Sequence, residues 1–253
     1  MTTAAVAVPG IRLVEHVMGM PVYVDIRDAD ADSDAIARML AWLHWVDATF
    51  STFKPESEIS RIGRDELAIA DAHPHVQAVL ARCEELRGET EGYFDAYAGG
   101  SLDPSGLVKG WSVDEAAEIL TAAGLHDFAI NAGGDIRLRG GALPDNHWRV
   151  GIRHPREADK VAAVVEASDL AIATSGAYAR GDHVVDPHTG RAPGGVLSVT
   201  VAGPELATAD AYATAAFAMG LKGPSWTAGL IGYEAMTIRA DGRVLTTAGF
   251  PTV

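Results

Sequence analysis

The chain has 253 residues, 48% of them hydrophobic, and a mean hydropathy of +0.08. That is a globular composition, neither disordered nor fibrous. A formal charge of −14 argues against a nucleic-acid partner and against docking on an anionic bilayer, since both need a basic face.

Residues 1–10 lack a basic start and carry only a short apolar run. They read as a flexible segment ahead of one domain spanning 11–253, not as a signal peptide. No run approaches the roughly 20 apolar residues of a membrane span, so no membrane insertion and a cytoplasmic location are expected. Residues 11–27 alternate as two strands broken at Met18-Gly19-Met20-Pro21. Ile36, Met39, Leu40, Leu43 and Val46 predict a helix over 34–49, capped by Ser33 or Asp34. Phe50 to Ser60, with Phe53 inside it, reads as a polar loop. Val76, Val79, Leu80, Cys83 and Leu86 predict a helix over 75–90, with Cys83, the single cysteine, as a packed small hydrophobe. A glycine-rich turn at Ser101 to Trp111 leads into a helix over 109–123.

Strands follow at 128–132 and 136–139 around Gly133-Gly134, then at 148–153, 161–167, 170–174 and 196–202. An alanine-rich helix covers 206–220. The last hairpin, 233–239 with 243–247, turns at Asp241-Gly242. Strands and helices come in clusters, without strict alternation, which predicts an α+β layered fold over a doubly wound one.

Several segments carry chemistry. Asp210 and Thr214 stand at i and i+4, so their oxygens leave one face of an apolar helix. That is a hard-oxygen half-site suited to Mg²⁺. The competing reading has Asp210 capping the helix and Thr214 bonding back to a carbonyl. Around Gly106 and Lys109, small residues admit a ligand, a helix N-terminus favours phosphate and Lys109 adds a positive charge. The alternative is an ordinary capped turn with Lys109 solvated. Asn131-Ala132-Gly133-Gly134-Asp135 is either a plain hairpin or a backbone shelf for a ring or pyrophosphate, with Asn131 and Asp135 as side-chain partners. Ser175 lacks a nucleophile-elbow context, so it is not a hydrolase nucleophile. His183 precedes the turn Asp186-Pro187-His188-Thr189-Gly190, which Asp186 and Thr189 would brace. Of the nine histidines it has the best context for proton transfer, against a purely structural role.

Taken in order, these segments resemble the FAD:protein FMN transferase family, the ApbE-like flavin transferases. The matching pieces are Met18-Gly19, Ser51-Thr52-Phe53 with Ser57 to Ser60, Gly92-Tyr93-Phe94-Asp95, Gly106 to Gly110 with Val113-Asp114, Asn131 to Asp135, Thr174 to Tyr178, His183 to Gly190, and Ala209 to Ala215. The resemblance implies an α+β fold of two similar subdomains with FAD in the cleft between them. It implies Mg²⁺-dependent (or Mn²⁺-dependent) transfer of FMN from FAD to a Ser or Thr hydroxyl of an acceptor protein, with release of AMP. It also implies roles. Asp210, Thr214 and the Gly106 carbonyl would hold the metal. His183 would be the base on the acceptor hydroxyl, with Lys109 beside it in catalysis. Met18, Phe53, Asp95, Lys109, Gly133, Gly134, Asp135, Ser175 and His183 would contact FAD. Hydrolysis of FAD to FMN and AMP, or flavin binding without turnover, would use the same cleft.

Overall fold

A computed structural model describes residues 10–142, 146–157, 159–176 and 184–253. Ten strands and six helices are placed among them. The strands are β1 (Ile11–Val17), β2 (Met20–Ile26), β3 (Phe128–Ala132), β4 (Asp135–Arg139), β5 (Trp148–Arg153), β6 (Val161–Ala167), β7 (Ala171–Gly176), β8 (Val196–Gly203), β9 (Glu234–Arg239) and β10 (Val244–Thr246). The helices are α1 (Ser33–Phe50), α2 (Glu58–Gly63), α3 (Pro74–Glu89), α4 (Ser105–Ala122), α5 (Leu206–Ala218) and α6 (Gly223–Thr227).

Eight strands form one sheet in the order β1-β2-β3-β4-β7-β8-β9-β10, each pairing antiparallel with its neighbour. Alternation decides its two faces. Val22, Val24 and Ile26 of β2 and Phe128 and Ile130 of β3 point to one side, where α1, α4 and α5 cover them with Met39, Leu43, Val113, Leu120, Ala209 and Ala213. Each fully buried aliphatic or aromatic side chain there contributes roughly 1.5–3 kcal/mol. On the other face, Leu138, Ile172, Met236 and Ile238 meet Trp148, Ile152 and Val165 of the separate β5–β6 ribbon. An outer helical cluster, built from Phe50, Ile59, Val79, Leu86 and Leu107, closes over α5 through Ala211 and Ala215. The α+β layered reading therefore holds.

The two halves of the β1–β2 break are a two-residue turn. Met18 (φ 55°) and Gly19 (φ 70°) both lie in the left-handed region, as a type I′ hairpin requires. A long side chain at the first of these positions costs on the order of 1–2 kcal/mol. Met18 is held by packing against both the sheet-and-helix core and the outer helical cluster, and its sulfur accepts a hydrogen bond from Ser112 Oγ at 3.8 Å.

Two boundaries differ from expectation. The cap of α1 is Asp32, whose side chain accepts from the Asp34 amide, not Ser33 or Asp34. Helix α4 starts at Ser105, so Ser105 to Trp111 of the expected glycine-rich turn are already its first two turns. Gly110 is there for closeness: a Cβ on it would lie 2.5 Å from the Leu206 carbonyl oxygen on α5.

Candidate functional site

The site forms where α4, α5, β4 and β7 converge. On α5 the N-cap position is Glu205, and Asp210 sits inside the helix, 3% exposed. The capping reading of Asp210 is thereby excluded. Asp210 Oδ1 lies 3.4 Å from Lys109 Nζ, while its buried Oδ2 finds no hydrogen-bond partner among the described residues. Burial pushes the Asp210 carboxyl up to about 8, with Asp135 adding to the shift and Lys109 and the Gly110 amide opposing it. Thr214, one turn further on, places Oγ1 3.2 Å from Ser175 Oγ on β7.

Lys109 is not a solvated lysine. Its ammonium bridges Asp210 and Asp135, touching Asp135 Oδ2 directly. Asp135 is 1% exposed, and its Oδ1 accepts from the Thr174 amide at 2.9 Å. An unneutralised carboxylate at such depth is expensive, so each buried acid here must either hold a proton or be matched by a cation. Gly106 completes the group: a Cβ on it would stand 3.9 Å from Thr214 Oγ1 and 3.2 Å from the Phe94 ring.

Six of the residues singled out from sequence thus gather in one place: Gly106, Lys109, Asp135, Ser175, Asp210 and Thr214. The Asn131–Asp135 segment is a hairpin, as one reading had it, closed by Gly134 N–H donating to Asn131 Oδ1 at 2.9 Å. Gly133 has a φ of +61°, and a Cβ there would strike the Met20 sulfur at 2.8 Å. The left-handed backbone favours glycine there, and a side chain would have to push Met20 aside. Phe53 turns to solvent and Asp95 to partners outside the cluster. The Phe53 ring is 95% exposed on the α1–α2 loop. Asp95 turns to Arg87 at 3.7 Å and to the Tyr97 amide at 2.8 Å. His183 lies outside the described residues, as do Ala177 and Tyr178. The turn that follows His183 is as expected, with Asp186 accepting from Thr189 Oγ1 and from the His188 amide. His188 then reaches across to the Glu91 carbonyl and the Tyr93 ring, a contact sequence reading missed.

The donor set fits a divalent cation. Among the described residues no three His, Cys, Asp or Glu side chains gather as a metal cage. What stands here is one carboxylate with an orphaned buried oxygen, one hydroxyl and nearby main chain. Hard cations that keep part of their sphere for phosphate oxygens are bound through one or two carboxylates in this way.

Comparison with known proteins follows the same outline. The model of the ApbE family matches residues 18–100 and 96–237. The FAD:protein FMN transferase of Treponema pallidum is 34% identical over 216 residues, covering 74% of this chain and 59% of that protein. The one of Vibrio cholerae is 38% identical over 129 residues, covering 47% of this chain and 39% of that protein. The chain thus spans well under two thirds of the length of these relatives. Among solved structures, the flavin transferase ApbE from Vibrio cholerae superposes with a TM-score of 0.84 at 25% identity, covering 96% of this chain and 99% of that one. The ApbE protein of Thermotoga maritima gives 0.86 at 21% identity, covering 95% and 98%.

Proposed function

The chain belongs to the ApbE family, and from that premise we propose that it is an FAD:protein FMN transferase acting on a Ser or Thr hydroxyl of an acceptor protein. The observation that carries the proposal is the buried, unpartnered Oδ2 of Asp210 beside Lys109, Thr214 and Gly106. FAD would lie in the cleft expected between two similar subdomains, its pyrophosphate against this cluster.

Asp210 and Thr214, with the Gly106 carbonyl, would hold Mg²⁺ or Mn²⁺. When bound, the cation supplies neutralisation of charge on the pyrophosphate. Lys109 supplies a second positive charge and Ser175 steadies the Thr214 hydroxyl. Gly133 and Gly134 offer backbone to the dinucleotide, with Met18, Phe53 and Asp95 as further contacts. Such a site works by positioning and charge, which is what phosphoryl transfer asks for. An acidic protein can do it because the positive field is local.

The acceptor oxygen attacks the phosphorus of the FMN half. The bond from that phosphorus to the bridging oxygen breaks, and AMP leaves with the electron pair. His183 takes the proton from the acceptor hydroxyl, a role worth about 10²–10⁴-fold in general-base catalysis.

The test is incubation with FAD, Mg²⁺ and a candidate acceptor domain, read by intact mass. Acceptor heavier by one FMN, lost in an acceptor whose target hydroxyl is replaced, is the expected result. Release of FMN and AMP at the same rate with and without acceptor would make the chain a pyrophosphatase. Bound flavin without turnover at saturating Mg²⁺ would reduce it to a flavin-binding protein.

A further inference from the structure

Strand β4 and helix α4 are joined by a ladder of three ion pairs. Asp135 meets Lys109, Arg137 Nε stands 3.5 Å from Asp114 Oδ1, and Arg139 reaches Glu118 at 2.5 Å. The spacings match. From Asp135 to Arg139 four strand steps advance roughly 13.6 Å at about 3.4 Å each. From Lys109 to Glu118 nine helical residues advance roughly 13.5 Å at 1.5 Å each. The Arg139–Glu118 rung reaches solvent, while the other two are inside: Asp135 is 1% and Arg137 5% exposed.

The middle rung also grips a third element. Asp114 Oδ2 accepts the Ala207 amide of α5 at 2.8 Å, and Arg137 donates to the Pro204 carbonyl just before that helix. Glu205, at the N-cap position of α5, makes no side-chain cap bond of its own, so Asp114 satisfies an amide that α5 leaves open. One turn along α4, Gly110 lets the backbones of α4 and α5 touch at Leu206.

We propose that Asp114 and Arg137 are positioning residues, whose buried pair fixes the axial register of α4 on β4 and seats the first turn of α5. That register brings Gly106 and Lys109 opposite Asp135, Asp210 and Thr214. Register setting is the best attested use of a buried ion pair, which is weak as a source of net stability. The inference rests on the metal reading of the site for its functional consequence, and its structural half can be read without it.

The experiment uses the full chain and Mn²⁺ as the probe, titrated by electron paramagnetic resonance, beside hydrogen exchange of the α5 amides. Asp114→Ala and Arg137→Met are expected to weaken Mn²⁺ binding at least ten-fold and to speed exchange at Ala207 to Asp210 by a similar factor. Asp114→Asn, which keeps an acceptor for the Ala207 amide, should recover part of both. Leu138→Ala removes a buried side chain from the opposite face of β4 and serves as the stability control. It should lower the melting temperature while leaving Mn²⁺ affinity within about two-fold. The inference is overturned if Leu138→Ala weakens Mn²⁺ as much as Asp114→Ala does, or if Asp114→Ala leaves both readouts at the parent values. A parent chain that binds no Mn²⁺ would defeat the metal reading. Exchange in α5 would then decide the clamp alone: faster in Asp114→Ala sustains it, unchanged overturns it.

Discussion

Gly110→Ala is the sharpest probe of how the two site helices meet. A Cβ at 110 would lie 2.5 Å from the Leu206 oxygen, 2.7 Å from its carbonyl carbon and 2.8 Å from Ala207 Cα. Ordinary contact begins at 3.4 Å, so the shortfall is 3.4 − 2.5 = 0.9 Å. All three atoms are backbone and cannot rotate aside, so α5 itself must back away. Overpacking of this kind costs about 1–3 kcal/mol. With backbone on both sides the upper end applies, and the gain in helix propensity from Gly to Ala returns about 1 kcal/mol. The net is a loss of about 2 kcal/mol, or roughly 4–8 °C of melting temperature in a chain of this size. Displacing Asp210 and Thr214 by about 1 Å should cost up to ~10²-fold in turnover. Gly88→Ala in α3 is the matched control, because a Cβ there meets nothing within 4 Å and the glycine has no positive φ. It should melt at or slightly above the parent. Calorimetry and steady-state FMN transfer measure both. A Gly110→Ala protein that melts with or above the parent would refute the close-approach argument.

Asp210→Ala should abolish divalent-dependent turnover, by at least ~10²-fold, with an unchanged circular dichroism spectrum; turnover with the parent's Mg²⁺ dependence would remove Asp210 from the metal site. Lys109→Met leaves Asp135 and Asp210 buried without their shared cation, a break that costs about 3–5 kcal/mol for a buried pair. Its melting temperature should then climb steeply with added Mn²⁺ while the parent's changes less, and equal responses would argue against ammonium and metal serving the same acids. His183→Ala should slow FMN transfer far more than it weakens FAD binding by fluorescence titration, and equal losses would give His183 a structural role. Burial pushes the Cys83 thiol up to about 12. Between about pH 9 and 12 the unfolded chain therefore sheds that proton first, and stability falls by up to about 1.4 kcal/mol per pH unit. Urea midpoints at pH 8 and pH 10 should show a drop that Cys83→Ala lessens, and an identical drop in both would assign it elsewhere.

Where a pattern was local, the sequence was sufficient. Strands β5 and β6 fall at 148–153 and 161–167 as expected, and the Asp241-Gly242 turn is real, with Gly242 at φ 85°. Helices α2 and α6, six and five residues long, were missed because so few residues carry no period. The start of α4 was misread because Ser105 to Gly110 holds two glycines, and glycine argues locally for a turn. Contact with α5 overrides that argument, and a single sequence does not display the contact. The pairing of Asp210 with Thr214 was legible because both lie on one helix. The bridge from Lys109 to Asp135 was not, and neither was the pair of Asp114 with Arg137. Each needs a strand laid beside a helix, although spacings of two on β4 and of four or five on α4 were there to be noticed.

Helix α5 has one further meaning. Its Ala209, Ala213 and Ala216 rest on the sheet while Ala211 and Ala215 face the outer helices. Methyl groups leave no slack: any bulkier replacement on either side must move a whole layer. The acid and hydroxyl this helix carries are therefore mounted on the least adjustable part of the molecule. On the proposed function, a change of flavin or acceptor preference would have to be engineered away from this helix, at the exposed Phe53 ring or the Asn131–Gly134 hairpin. The machinery at the centre would tolerate none.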